Sequence, residues 1–109
     1  MSGLPPGPVP TIDAHEAKAL HDADKAVIVD VRETHEWQAG HVPGTLHIPL
    51  QTLPQHLDKI PKEATVIMLC HSGARSHHAA NWLRANGYDD VLNLENGIVA
   101  WANAGLPIQ

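Results

Sequence analysis

A continuous apolar run over residues 26–31, Ala-Val-Ile-Val-Asp-Val, constrains the fold of this chain more than any other stretch. β-branched residues favour strands, and a run without polar alternation is typical of a strand that is buried on both faces. Residues 65–69 have the same character, and shorter strand patterns cover residues 45–48 and 91–94. Helical patterns separate these strands, which predicts an α/β sandwich with a mainly parallel sheet.

The predicted helices lie before, between and after these strands. Asp13 and Glu16 have the spacing of a capping box, and an amphipathic helix is predicted within residues 49–61 because Leu53, Leu57 and Ile60 share one stripe. The full set of predicted helical segments is 13–20, 33–37, 49–61, 76–86 and 97–104.

Length and composition set the domain organisation and exclude several classes of function. With 109 residues and no Phe, the chain can build one core, mostly from Val, Ile, Leu and Ala. Residues 1–10 hold four prolines and two glycines, so we expect a flexible or extended leader and one domain over 11–109. The net charge of −5 disfavours nucleic acid as a partner, and a single cysteine fits a reducing compartment. Without an apolar stretch of membrane-spanning length or a signal-peptide pattern, we expect a cytoplasmic protein with no membrane partner.

The only cysteine, Cys70, stands where the strand over residues 65–69 ends and a tight loop begins. Gly73 allows the loop to turn, and a helix follows, so loop N–H groups and the positive end of the helix dipole favour an anion there. A thiol in that place becomes a thiolate, the reactive form, at lower pH. A lone cysteine can also be a small buried apolar residue. The Gly73 and Arg75 that follow favour a catalytic role.

Asp30 ends the other buried strand, and the carboxyl ends of parallel strands meet at one edge of a sheet, where ligands bind. We therefore expect Asp30 and Cys70 at the same edge, with Arg32 just beyond Asp30. Asp30 and Arg32 are expected to form an ion pair that supports the loop. Arg75 would hold an anionic donor or a carboxylate such as Asp30, or it is a solvated residue at the start of the helix.

Nine histidines invite a metal-site hypothesis, but no pair has a recognised ligand spacing. His77 and His78, for example, point about 100° apart on a helix. We expect no metal and no cofactor, and we interpret the histidines as solvated surface residues. Trp37 and Trp101 are expected to pack in the core.

Three signatures, in order within residues 11–107, resemble those of the rhodanese sulfurtransferases in their single-domain form. They read DVRE, EW and GHVPG within 30–44, CHSGARS at 70–76, and NGI, W and AGLP within 96–107. Asn96 departs from the pattern because many members have a second glycine there, and we expect this to affect a turn rather than the chemistry. The resemblance implies a three-layer α/β sandwich whose mainly parallel central sheet has about five strands flanked by helices.

The resemblance also implies a two-step covalent reaction. The Cys70 thiolate would attack the sulfane sulfur of a donor such as thiosulfate, release sulfite and keep a persulfide, which a thiophilic acceptor (cyanide, a thiol or a thiol-bearing protein) would then discharge. N–H groups of residues 71–75 would cradle the sulfur anion. The expected substrate contacts are His71, Ser72, Gly73, Ala74 and Arg75, and the expected supporting residues are Asp30, Arg32 and Ser76.

Two alternatives use the same cysteine. A cysteine phosphatase or arsenate reductase encloses five residues between Cys and Arg, whereas Cys70 and Arg75 enclose four, so the narrower cradle suits a sulfur atom better. A persulfide carrier or regulatory rhodanese module acting with a partner protein stays open, because a carrier needs the same thiol. The physiological donor and acceptor, the need for a partner and the oligomeric state also stay open.

Overall fold

A five-stranded sheet forms the centre of the computed structural model, which describes residues 7–109. Its strands are β1 (Thr11–Ile12), β2 (Ala26–Asp30), β3 (Leu46–His47), β4 (Thr65–Leu69) and β5 (Val91–Leu94). Every pairing is parallel, and the order across the sheet is β1-β5-β4-β2-β3. The predicted sandwich with a parallel central sheet is therefore confirmed. The two-residue strand β1 had no strand pattern of its own and forms by pairing with β5.

Four α-helices flank the sheet within the described residues, and each lies close to a predicted segment. They are α1 (Ala14–Asp22), α2 (Thr34–Ala39), α3 (Ala74–Ala85) and α4 (Gly97–Asn103). Asp13 caps α1 as predicted, since its carboxylate accepts the Glu16 N–H at 2.8 Å, which is one of the two hydrogen bonds of a capping box. None of the helices in residues 7–109 has both the length and the apolar character that crossing a bilayer requires.

The amphipathic helix predicted within residues 49–61 is instead a 3-10 segment, Leu50–Lys59, with a break at His56. Pro54 lies inside it, and a proline removes one N–H donor and crowds the carbonyl four residues earlier, which opposes an α-helix. Leu53 and Ile60 are nevertheless buried, as the apolar stripe predicts.

The sheet divides the core into two apolar layers. Val66, Met68 and Cys70 face the layer beneath α3, whereas Ile67 and Leu69 face the layer beneath α1 and α4. Ala79 and Ala80 are fully buried, so their small side chains let α3 lie close to the sheet. Alternation along β4 therefore sends the Cys70 side chain towards α3.

Part of the leader predicted over residues 1–10, residues 1–6, lies outside the described residues. Val9 is buried in the layer beneath α3. The Pro10 carbonyl accepts the Asn93 N–H at 2.9 Å. Within the described residues, contact with the domain thus begins at Gly7, whose carbonyl accepts a hydrogen bond from Arg84 Nη1 at 3.3 Å, and apolar packing begins at Val9.

Candidate active site

The strands β2 and β4 end side by side, because Asp30 pairs with Leu69 in parallel register and Cys70 comes next. Asp30 and Cys70 are both fully buried at this edge. The predicted common edge is therefore confirmed. The segment from Cys70 to Arg75 is called the Cys70 loop below.

A backbone N–H group and a hydroxyl group contact the sulfur of Cys70. The Gly73 N–H donates to Sγ at 3.1 Å, and the Ser76 Oγ lies 3.3 Å from Sγ. Gly73 has a φ of +106°, a left-handed conformation that glycine adopts without steric cost, and this turns its N–H back towards the sulfur. The helix α3 begins at Ala74, two residues earlier than predicted, so its positive end lies close to the thiol.

Opposing effects set the acidity of this thiol. Burial raises the pKa of Cys70, but hydrogen bonds from the Ser76 hydroxyl and from the N–H groups of Ser76, Gly73 and Ser72 lower it. The hydrogen bonds prevail and hold the pKa of Cys70 below its ordinary value. The site thus favours the thiolate, which is the nucleophilic form of cysteine.

The first turn of α4 holds the Cys70 loop from behind. The Ile98 N–H donates to the Cys70 carbonyl at 2.9 Å, and the Val99 N–H donates to the His71 carbonyl at 3.2 Å. Gly97 makes this approach feasible, since a Cβ there would lie 2.4 Å from the Cys70 carbonyl oxygen and 2.5 Å from that of His71. Asn96, the departure from the family pattern, has a φ of +58° at the start of α4, a conformation that Asn tolerates well.

The residues predicted to meet substrate surround the sulfur at different depths. His71, Ser72 and Ala74 are exposed, Gly73 is buried and Arg75 is half-buried. A groove of about 410 Å³ begins at His71 and continues over the apolar side chains of Ile98, Val99 and Ile108. Contact of these residues with a substrate remains a prediction.

Arg75 pairs with a carboxylate, but its partner is Glu36 on α2 rather than Asp30. Its Nη1 and Nη2 donate to Oε1 and Oε2 of Glu36 at 2.7 and 2.9 Å. This bidentate pair holds the pKa of Glu36 at about 2 and raises the pKa of Arg75. The prediction that named Asp30 was wrong on this point, because Arg32 already occupies both Asp30 oxygens.

The predicted ion pair of Asp30 and Arg32 is confirmed. Arg32 Nε lies 3.0 Å from both carboxylate oxygens, and Nη2 donates to Oδ2 at 2.9 Å. Nη2 also donates to the Gly40 carbonyl at 2.9 Å. The pair therefore fixes the end of α2, and through α2 the position of Glu36.

Trp37 is not a core residue, although Trp101 is buried as expected. Its indole is half-buried and stacks between His41, at a centroid distance of 3.7 Å, and His47, at 4.7 Å. These two histidines are not solvated surface residues either, because His41 Nδ1 lies 3.0 Å from the Trp37 carbonyl and His47 Nε2 lies 2.9 Å from that of Arg32. Across residues 7–109 no three His, Cys, Asp or Glu side chains are grouped closely enough to hold a metal ion.

The sequence-based prediction missed Asn93. This residue lies on β5 and is almost fully buried. Its Nδ2 donates to the Gly73 carbonyl at 3.0 Å, and its Oδ1 lies 2.6 Å from Ser76 Oγ. The available signal was a single amide within an otherwise apolar strand pattern.

Comparison with known proteins identifies relatives of similar length and longer ones. The chain is 41% identical over 92 residues to a sulfurtransferase of Allochromatium vinosum, which covers 84% of this chain and 86% of that protein. It is 30% identical to the thiosulfate sulfurtransferase GlpE of Vibrio cholerae, with 90% of this chain and 92% of that protein covered. It is 33% identical to the putative sulfur carrier protein YrkF of Bacillus subtilis, with 85% of this chain and 51% of that protein covered.

Solved structures agree with these relatives. The crystal structure of a rhodanese-like domain protein from Staphylococcus aureus matches with a TM-score of 0.81 and 34% identity, over 93% of this chain and 99% of that one. Residues 13–104 match the family described as the rhodanese-like domain. With the family pattern present from α1 to α4 and the Cys70 loop at its centre, the chain belongs to the rhodanese-like domain family.

Proposed function

We propose that this protein is a sulfurtransferase that moves a sulfane sulfur from a donor such as thiosulfate to a thiophilic acceptor through a persulfide on Cys70. The observation that carries the proposal is the Cys70 sulfur at the end of β4, which receives the Gly73 N–H at 3.1 Å and lies beside the start of α3. Relatives named as sulfurtransferases support the same chemistry.

The reaction balances in two steps. The Cys70 thiolate forms a bond to the outer sulfur of thiosulfate, and the sulfur–sulfur bond of the donor breaks. Sulfite leaves with the electron pair, and the negative charge of the thiolate passes to the outer sulfur of the new persulfide. Cyanide or a thiolate acceptor then attacks that outer sulfur, and the Cys70 thiolate leaves.

The Cys70 loop supplies what both steps need, which is stabilisation of charge on sulfur. Loop N–H groups already point at Sγ, and the carbonyls of Cys70 and His71 are turned away to α4. The N–H groups therefore face the position where the anion forms, without rearrangement at the moment of reaction.

We assign the binding of the anionic donor to Arg75. Its side chain is 36% exposed, whereas that of Arg32 is 5% exposed and is bound to Asp30. Arg75 keeps N–H donors on its guanidinium after it has paired with Glu36, because that fork has five.

Mass spectrometry of the intact protein after thiosulfate treatment tests the proposal. We expect one added sulfur on the unsubstituted protein, its removal by cyanide, and no addition on Cys70→Ser. An unsubstituted protein that gains no sulfur would overturn thiosulfate as the donor.

A persulfide carrier is the second candidate, favoured by the similarity to the putative sulfur carrier YrkF. The groove beside His71 also offers a surface on which a larger acceptor can bind. A persulfide that forms but is released to cyanide no faster than it decays in buffer would favour the carrier. Fast turnover with thiosulfate and cyanide would favour the enzyme.

A further inference from the structure

The hydroxyl of Ser76 faces more acceptors than it can serve. Ser76 is fully buried, and its Oγ lies 3.3 Å from Cys70 Sγ, 3.2 Å from the Gly73 carbonyl and 2.6 Å from Asn93 Oδ1. A hydroxyl has one proton, so only one of the three accepts a full hydrogen bond at a time. Which acceptor receives this proton affects how well Sγ can carry a negative charge.

The sheet fixes the Asn93 amide in one orientation. Asn93 is paired with Met68 on β4, and its N–H donates to the Pro10 carbonyl, so its backbone is held from both sides. Its Nδ2 donates to the Gly73 carbonyl at 3.0 Å, and the opposite orientation would set two oxygens against each other there. Oδ1 is thereby committed to Ser76.

The distances favour Asn93 Oδ1 over Sγ as the acceptor of the Ser76 proton in this arrangement. Two oxygens at 2.6 Å are mutually repulsive unless a proton lies between them, so Ser76 donates to Asn93 in this arrangement. A thiolate changes the competition, because hydrogen bonds to an ionised acceptor are roughly twice as strong as those between neutral groups. Rotation about one bond of Ser76 then brings the proton to Sγ.

We propose that Asn93 is a positioning residue that holds the Ser76 proton while Sγ is uncharged and releases it to Sγ when the thiolate forms. The benefit of this proton shift for sulfur transfer rests on the proposed function. In the persulfide the negative charge lies on the outer sulfur, so Sγ is again uncharged and the proton returns to Asn93. Asn93 thus favours the persulfide over the free thiolate and keeps that thiolate more basic, hence more nucleophilic.

Other charged groups act on Cys70 as well, and the test has to keep them constant. Arg75 on α3 attracts the thiolate, the His71 side chain lies next in the chain, and the Asp30–Arg32 pair ends the neighbouring strand. Substitutions at Asn93 and Ser76 alter none of these groups.

The test is a pH titration of the Cys70 ¹³Cβ chemical shift in the absence of any sulfur donor. Because Cys70 is the only cysteine, the signal is unambiguous. We expect Asn93→Leu to lower the midpoint by about one pH unit, since the neutral Gly73 carbonyl is then the remaining competitor for the proton and a thiolate is the stronger acceptor. Ser76→Ala should raise the midpoint, and Asn93→Leu added to Ser76→Ala should cause no further lowering.

Two results would overturn the proposal: an unchanged or raised midpoint in a folded Asn93→Leu, or the same lowering when the Ser76 hydroxyl is absent. If Asn93→Leu does not fold, the test is a pH titration of the Asn93 ¹³Cγ chemical shift in the unsubstituted protein. This shift should titrate with Cys70, and it should cease to do so in Ser76→Ala. Both measurements are independent of sulfur transfer, so a protein that takes up no sulfur could still confirm the role of Asn93.

Discussion

Two arginines lie close to Cys70, and they differ in burial and in hydrogen-bond partners. Arg32 is buried against Asp30, and its remaining donors reach the backbone at the end of α2. Arg75 reaches Glu36 from the first turn of α3 and keeps about a third of its side chain in solvent. At the scale of single residues, structural support and donor attraction are thus divided between the two.

Arg32→Met tests this division. The substitution leaves the Asp30 carboxylate buried without its cation, so we expect the free energy of unfolding to fall by about 3–5 kcal/mol. Arg75→Met is the matched control and should cost about 1 kcal/mol or less, because that pair is partly exposed.

Kinetics complete the comparison, since Arg75→Met should raise KM for thiosulfate about tenfold through the loss of a charged hydrogen bond. Urea denaturation and steady-state rates provide the measurements. A stable Arg32→Met with a raised KM would mean that the two roles are exchanged.

At the scale of elements, the contact between α4 and the Cys70 loop depends on one glycine. Gly97→Ala places a methyl group 2.4 Å from the Cys70 carbonyl oxygen, and because backbone atoms line the contact, the loop itself has to shift. We expect a loss of about 2 kcal/mol or more in the free energy of unfolding and little sulfur uptake.

Gly105→Ala is the control for Gly97→Ala. Gly105 has a similar φ of +73°, but a Cβ there meets nothing within 4 Å. It should therefore show the backbone strain without the displacement of the loop, and its sulfur uptake should stay normal. Equal loss of uptake in both variants would contradict a role for the α4 contact.

The length of the Cys70 loop provides a second test at this scale. One glycine inserted between His71 and Ser72 widens the cradle, and we expect sulfur uptake to fall at least about tenfold as the donors move off the sulfur. The same insertion beside the exposed Gly87, at the end of α3, is the control. Hydrolysis of p-nitrophenyl phosphate by the unsubstituted protein would show that the four-residue loop does not exclude phosphate.

Local patterns predicted the elements well and their long-range partners poorly. The strand over residues 65–69 was predicted to the residue, because its apolar run has no interruption. The 3-10 segment was mistaken for an α-helix because its apolar spacing outweighed the signal of Pro54.

For the candidate site too, contacts between residues distant in the sequence were not predicted. Cys70 and its loop were found from adjacent residues, whereas Glu36 lies 39 positions from Arg75 and Asn93 lies 17 from Ser76. Only the order of the strands brings such residues together, and no local pattern states that order.

At the scale of the whole molecule, the pair of Glu36 and Arg75 links α2 to α3 and makes stability depend on pH. The pKa of Glu36 is about 2 in the folded protein, below its ordinary value of 4.5. The pair therefore stabilises the fold fully above pH 4.5, and this contribution is lost as the pH falls from 4.5 towards 2.

Glu36→Gln removes this acid-sensitive contribution. Between pH 6 and pH 3 we expect the unsubstituted protein to lose about 1 kcal/mol more of its free energy of unfolding than Glu36→Gln, a modest value because the pair is partly exposed. Urea denaturation at the two pH values gives the comparison, with the exposed Glu63→Gln as control. An equal loss in all three proteins would exclude Glu36 as a source of acid sensitivity.

The pairing of β1 with β5 affects the order in which contacts can form during synthesis of the chain. Ile12 pairs with Leu94, so the first strand waits for a partner that a ribosome makes roughly 80 residues later, about 4–16 s at 5–20 residues per second. The N–H groups of Ile98 and Val99 that hold the Cys70 loop are synthesised later still. A nascent chain therefore exposes its only thiol until α4 has been made, because only then can the N–H groups of Ile98 and Val99 hold the Cys70 loop in place.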